Sequence, residues 1–310
     1  MNTFKLSLLF CFLLTGLGLS AQKTETRVEL HVSESSPKEK TLKRKVAIVR
    51  FSNETQYGKG IFYDKENDPM AKQALDNLSN KLASTGKFIL LERSDIDKIA
   101  EEASLSGSGY GKIGADYVIV GSITEFGRKN VGDQNLISRS KTQMAQAGVS
   151  LRLIDVSSGL IIYSEEAKGE AELKTKSTLG VGGTADYDAT LSDKAISAAI
   201  SKLVENVINN CMDRPWKAYF LAVDGNDVYI TGGVSQGLSI GDEFKVVEKG
   251  KQVKNPQTGM IMELPGRQAG KIKVTFTGGE TPESEFSLVK FTEGQIDTNN
   301  LTNYYIEEIK

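Results

Sequence analysis

The chain has 310 residues, a formal charge of −2, one histidine and two cysteines, with 39% hydrophobic and 25% charged residues. This length suits two modest domains behind an N-terminal export segment, and the near-neutral balance excludes the basic field of a nucleic-acid binder. Beyond the N-terminal run, no apolar stretch is long enough for a membrane helix.

The opening carries Lys5, an apolar run from Leu6 to Leu19, then Ser20-Ala21-Gln22. A positive charge, an apolar core and a small residue at the cut site are the parts of a secretory signal, expected to be cleaved after Ala21. The run of about 14 residues falls short of the roughly 20 a membrane helix needs, and a retained anchor is the alternative. Cys11 lies inside the run, between Phe10 and Phe12, and reads as an apolar residue of the signal rather than a lipidation site. Removing the signal leaves Cys211 alone, so no intramolecular disulfide is expected. Residues 22–44 hold His31 and run into the basic cluster Lys43-Arg44-Lys45, a charged leader or tether without apolar periodicity.

Lys45 to Phe51 is a short apolar run typical of a buried strand. A polar loop leads to Asp68-Pro69, a cap followed by a first-turn proline, and a helix burying Ala71, Leu75, Leu78 and Leu82 up to Gly86. Phe88-Ile89-Leu90-Leu91 is the next strand, Ser94 caps a helix with Ile96, Ile99, Ala100 and Ala103, and Tyr117 to Gly121 is a third strand. Val149 to Val156, the turn Ser157-Ser158-Gly159 and Leu160 to Tyr163 form a β-hairpin. A helix from Ser192 to about Met212 buries Ile196, Ile200, Leu203, Val207 and Cys211. Strands interleaved with helices predict a layered α/β domain over 45–213. From 216 to 310, short strands at 218–223, 227–231, 243–248, 270–277 and 286–291 are separated by glycine-rich turns, predicting a small barrel-like all-β module.

Enzyme signatures are scarce. A single histidine in the leader removes the usual general base and the usual zinc chemistry. No phosphate-binding lysine loop exists, and Gly107-Ser108-Gly109-Tyr110-Gly111 follows a helix rather than a strand, which fits a plain loop. The expectation is a non-enzymatic protein without cofactor or metal.

The stretch 167–191 does not read as core. Ala167, Gly169, Ala171 and Leu173 alternate with Lys168, Glu170, Glu172 and Lys174; after a glycine-rich turn, Ala185, Tyr187, Ala189 and Leu191 alternate with Asp186 and Asp188. Successive side chains of a strand face opposite ways, so each arm has an uncharged and a polar face. The arms of about 11 and 9 residues match a tilted membrane strand. One hairpin alone leaves its edges unpaired in lipid, but hairpins from several chains can close a barrel, uncharged face to lipid and charged face to a water-filled lumen. The alternative is a solvated hairpin on the domain surface, since the uncharged face holds few large apolar groups. A second insertion, 125–148, is crowded with Arg128, Lys129, Asp133, Arg139 and Lys141 and reads as a polar hairpin.

Four motifs in order, Val46-Ala47-Ile48-Val49-Arg50-Phe51-Ser52-Asn53-Glu54-Thr55, Phe88-Ile89-Leu90-Leu91-Glu92-Arg93, Gly114-Ala115-Asp116-Tyr117-Val118-Ile119-Val120-Gly121-Ser122-Ile123 and Leu151-Arg152-Leu153-Ile154-Asp155-Val156-Ser157-Ser158-Gly159, resemble the curli assembly/transport family (CsgG/HfaB) over about 45–213. The resemblance implies an α/β periplasmic domain that assembles into a homo-oligomeric ring in the outer membrane. Each subunit would insert two hairpins, at 125–148 and 167–191, and pass secreted unfolded polypeptide. It also implies a constriction loop near 54–66, where Tyr57, Phe62 and Tyr63 are the aromatic candidates. Those aromatics do not match the family loop residue for residue, and packing on their own domain is the other reading. Soluble envelope adaptors share such a core, so a periplasmic scaffold for envelope or surface-appendage assembly proteins is the second expectation. Gly232-Gly233-Val234-Ser235-Gln236-Gly237-Leu238 and the following Ser239-Ile240-Gly241-Asp242 resemble the C-terminal β module of a flagellar assembly protein, with glycines supplying positive φ.

Overall fold

The structure, a computed structural model, describes residues 40–309 apart from 58, 60–63, 65–67, 106–112, 135–137, 179–187, 189, 226 and 283. The export signal with Cys11, His31, the 107–111 loop, and the candidates Phe62, Tyr63, Ala185, Asp186, Tyr187 and Ala189 lie outside the described residues.

The first part of the chain runs β1 (Arg44–Asn53), α1 (Pro69–Ser84), β2 (Phe88–Leu91), α2 (Ile96–Leu105), β3 (Tyr117–Gln134), β4 (Ser138–Asp155), β5 (Ile161–Thr178) and α3 (Thr190–Met212). The five strands form one sheet in the order β2-β1-β3-β4-β5, parallel at β1–β2 and β1–β3 and antiparallel beyond. Asp68 begins α1 as its residue type requires: its Oδ1 accepts from Ala71 N at 2.9 Å, and its Oδ2 accepts from Asn53 Nδ2 at 3.0 Å. Gly86 takes φ +65° just beyond the helix. The expected turn at 157–159 joins β4 to β5, with Asp155 accepting from Ser157 and Ser158 and Gly159 at φ +70°.

The core of this part lies where α1 and α3 meet the sheet. Leu78, Leu82, Ile196, Ile200, Leu203 and Val207 are buried with Val46, Ile119, Ile123, Val149, Leu151 and Leu153. The apolar positions of α2 pack only in part: Ile99 stays 37% exposed, and none of Ile96, Ile99, Ala100 and Ala103 is fully buried.

The second part runs β6 (Lys217–Ala218), β7 (Phe220–Asp224), β8 (Asp227–Thr231), β9 (Glu243–Glu248), β10 (Gln252–Lys254), β11 (Ile261–Glu263), β12 (Arg267–Gly278), β13 (Phe286–Gly294) and β14 (Tyr304–Glu308). Seven of these form an antiparallel sheet in the order β6-β14-β9-β12-β13-β8-β7, while β10 and β11 pair only with each other. The two terminal strands, β6 and β7, are consecutive in the chain with only Tyr219 between them, so the sheet curls into a nearly closed barrel. Closure leaves few unpaired edges. Trp216, Ile230, Phe244, Val246, Ile272 and Ile306 fill it. Gly232 and Gly237, both at φ +96°, turn the chain between β8 and β9.

The leader departs from expectation at its end. Residues 40–43 are not a free tether: Leu42 is buried in the barrel core, Lys43 N donates to Gln236 O at 2.8 Å, and Lys40 pairs with Asp242. Arg44 is equally enclosed, donating to Leu42 O at 2.7 Å and Arg214 O at 2.8 Å and facing Glu308 at 3.2 Å. One apolar residue among lysines gives no periodicity, so only the long-range contact reveals it.

Candidate functional site

Strands β3, β4 and β5 each have 18 residues, about 60 Å at 3.3 Å per residue. Their inner halves form the sheet that β3 joins to β1, and their outer halves run on as a three-stranded ribbon, with β3 and β4 paired without a break from Glu125↔Gly148 to Gln134↔Arg139. The 125–148 insertion is therefore a continuation of two core strands.

The first arm of 167–191 pairs with β4, from Val149↔Ala167 to Ser138↔Thr178. The end of the second arm is helical: Thr190 and Leu191 open α3, and Leu191 is buried at the helix–sheet core. Asp188 accepts from Thr190 N at 2.9 Å and its own N–H donates to Gln143 Oε1 at 2.8 Å, so it ties the start of α3 to β4. A single-turn alternation cannot distinguish a strand arm from a cap leading into a helix, which is why Asp188 and Leu191 read as strand in the sequence.

The uncharged face of β5 faces α3. Ala167, Ala171 and Leu173 pack against the core, beside buried Gln143, Ala145 and Ala147 of β4. Any side chain at Gly169 would land on the carbonyl oxygen of Ala195 and the backbone nitrogen of Ala199, so helix and strand touch backbone to backbone there. Arg128 Nη2 donates to Ser192 Oγ at 2.7 Å, and Lys202 Nζ donates to Lys168 O at 2.6 Å, fastening the helix at both edges. In this single chain Ala167, Ala171 and Leu173 are half-buried against the core that α3 completes; small side chains serve close helix packing as well as they serve an outer barrel face.

The polar face is exposed. Lys168 meets Glu125 at 2.6 Å across Gly148, Gln146 donates to Glu170 at 2.6 Å, and Lys174 meets Glu172 at 3.0 Å. The missing side chain at Gly148 lets the Lys168–Glu125 pair pass over β4. All these pairs are exposed and contribute little to stability.

Of the three aromatics near the expected constriction, Tyr57 is described. Its ring lies 4.6 Å from that of Phe126, with the Arg128 guanidinium 4.9 Å above it. It packs on the ribbon of its own chain, as the second of the two readings has it; the sequence did not name the partners because Phe126 and Arg128 lie some seventy residues away, on the far side of α1 and α2.

Between the sheet and the barrel lies a cleft of about 340 Å³ lined by Lys45, Asp116, Asp155, Arg214 and Tyr219 among others. Burial pushes the Asp116 carboxyl up, opposed by the Lys45 ammonium at 3.7 Å and the Lys45 N–H at 2.8 Å. At Asp155 burial raises, but the hydrogen bonds from Ser157 and Ser158 prevail and lower it. Burial also pushes the Cys211 thiol up to about 12. Among the described residues, no group of three or more His, Cys, Asp or Glu converges to hold a metal, and no helix is long and apolar enough to cross a membrane.

The family model described as "Curli production assembly/transport component CsgG" matches residues 25–238. The chain belongs to the CsgG family. This family is of an assembly and transport kind rather than an enzymatic one. The CsgG-like chain is 36% identical over 175 residues to "Putative lipoprotein NMB1126/NMB1164" of Neisseria meningitidis serogroup B, covering 56% of this chain and 78% of that protein. Among solved structures it is similar to the hypothetical protein CT253 of Chlamydia trachomatis, at 16% identity over 55% of this chain and 96% of that one, with a TM-score of 0.30. A PelC dodecamer from Paraburkholderia phytofirmans matches at 17% identity over 52% and 86%, with a TM-score of 0.25.

Proposed function

We propose that this CsgG-family chain is an exported, non-enzymatic assembly factor of the cell envelope that works as a homo-oligomer on the periplasmic side, against secreted or envelope-assembly polypeptides. Family membership supports envelope assembly, and the meningococcal relative, named as a lipoprotein, is of the same envelope-associated kind. The observation that carries the periplasmic reading is the closure of the uncharged face of β5 by α3, with the opposite face charged and exposed. A ribbon so arranged presents polar surface outward, as a scaffold does. The same reading divides the chain into an α/β part over 45–213 and a β module over 216–310.

A second reading, the outer-membrane secretion channel, is favoured by the length of the ribbon. Its outer halves match the roughly 9–11 residues a membrane strand needs, and polar and uncharged residues alternate along the outer half of β5. In a channel, α3 would lift from β5, Ala167, Ala171 and Leu173 would turn to lipid with Ala185, Tyr187, Ala189 and Leu191, and Lys168, Glu170, Glu172, Lys174, Asp186 and Asp188 would line water. Tyr57, Phe62 and Tyr63 would then stand near the constriction.

Fractionation separates the two. The assembly factor is expected in the soluble periplasm, or released from membranes by alkaline carbonate, as a discrete oligomer. Retention through carbonate with release by detergent as rings, seen by electron microscopy, would overturn it in favour of the channel.

A further inference from the structure

The β10–β11 hairpin stands apart from the barrel sheet that it leaves and re-enters between β9 and β12. Val253 pairs with Met262, and Met260, Met262 and Leu264 share its face by strand alternation. Their exposures are 39% for Val253, 67% for Met260, 53% for Met262 and 47% for Leu264. A lone two-stranded ribbon is marginal in water, and a bare apolar face makes it more so. The turn at its far end is Pro256-Gln257-Thr258-Gly259, which is polar. Ile261, 70% exposed beside Lys254, is the one large apolar group on the other face. A polar tip does not suit end-on insertion into lipid; a ribbon apolar mainly on one face suits a protein surface.

An acceptor lies elsewhere on the same chain. A cleft of about 660 Å³ between barrel and sheet is lined by Ile89, Ile113, Leu221, Ala222, Tyr229 and Phe286, with Asp224 on its rim. Leu221 is 52% exposed. Asp224 and Asp227 are paired directly across β7–β8, and like charges so placed repel. Among the described residues neither aspartate makes an ion pair, and neither do the hairpin lysines Lys249, Lys251 and Lys254. Three unpaired cations against one carboxylate, Glu263, thus stand on the donor hairpin. Asp224, with Asp227 beside it, stands at a cleft whose other charged lining residues are Lys45, paired with Asp116, and Glu285, bonded to Ser235.

In the nearly closed strand order, β9 and β12 stand across the barrel from β7 and β8. The hairpin is therefore on the wrong side to fill its own chain's cleft. We infer that the β10–β11 hairpin of one copy docks in the sheet–barrel cleft of the next, its lysines meeting Asp224 and Asp227. Such a head-to-tail contact repeats from copy to copy and closes into a ring if the rotation allows. The inference deepens the homo-oligomer of the proposed function and rests on that reading. Its donor lies beyond the family match, which ends at residue 238.

The test is charge exchange in the full chain, read by sedimentation velocity. Lys251→Asp with Lys254→Asp, and separately Asp224→Lys with Asp227→Lys, are each expected to weaken self-association about tenfold or more, as charge reversal at a docking rim does. Mixing the two variants is expected to restore a mixed assembly, which a merely misfolded variant would not do. As a second measure, Met262→Cys and Leu221→Cys in one chain are expected to give disulfide-linked multimers on oxidation, with buried Cys211 silent. Oligomers that form normally in the charge variants and give no such crosslink overturn the hairpin docking and leave the proposed oligomer standing. Loss of vesicle binding by the lysine variants with unchanged self-association overturns it in favour of a lipid surface. A wild-type chain that stays monomeric at all concentrations overturns both.

Discussion

Cys211, on α3, and Asp116, at the head of β3, carry opposite lessons about burial. The thiol is enclosed in apolar surroundings and held in its protonated form. It is expected to resist iodoacetamide in the native protein and to react on unfolding in denaturant, a difference that mass spectrometry reads directly. Asp116 is pushed up by burial, so its folded form binds a proton more tightly than the unfolded chain does. Its ionisation therefore costs stability above the ordinary carboxylate range, and that cost is relieved as pH falls. Asp155 is lowered, so its contribution is present above the ordinary carboxylate range and is lost as pH falls through its own value. Asp116→Asn keeps an acceptor for the Lys45 N–H and is expected to leave the urea midpoint unchanged or higher at about pH 7, whereas Asp155→Asn lowers it there and flattens its decline towards about pH 4.

Among the elements, α3 is the one on which the architecture of the ribbon depends. At Gly169 there is no room between strand and helix, so Gly169→Val is expected to push α3 off the ribbon and cost about 1–3 kcal/mol, measured by chemical denaturation. The variant should also raise hydrogen exchange in the first turns of α3 and leave the barrel strands protected. At α1, Asp68→Ala removes a cap and a partner of Asn53 together, and a loss of about 1–2 kcal/mol is expected in the same measurement. The cap, the turn at 157–159 and the α3 face were legible in the sequence because each is set by neighbours within a few residues. The covering of Ala167, Ala171 and Leu173 was not, because alternation records which residues share a face and is silent about what lies on it. The hairpin β10–β11 and strand β14 were missed for another reason: three exposed residues, or five with two tyrosines, give too short a run for period-two patterning to stand out.

For the whole molecule, two apolar clusters carry the fold, and the single tryptophan reports on one of them. Trp216 is buried in the barrel with its ring 5.3 Å from that of Phe244, so its fluorescence follows the barrel while far-ultraviolet circular dichroism follows both parts. Leu42→Ala empties a site in the barrel core although residue 42 precedes the first strand. It is expected to lower the fluorescence-detected transition by about 2–4 kcal/mol, with a smaller effect on the α/β transition if the two unfold separately. Coincident shifts of both signals would mean that the parts unfold as one.

The docking of residues 40–43 changes what counts as the body of the protein and what counts as its appendage. The barrel draws its core from both sides of the α/β part, and Arg44 bonds to Leu42 and Arg214 at the two crossing points. In connectivity the whole α/β part is a long excursion from the barrel, leaving and returning through adjacent gates. A truncation at residue 44 would strip the barrel of Leu42. Splicing residue 43 to residue 214 through a short glycine linker would instead leave the barrel's core complete. A pull applied to the chain ahead of residue 40 would likewise reach the barrel, through Lys40, Leu42 and Lys43, before it reached β1 and the ribbon.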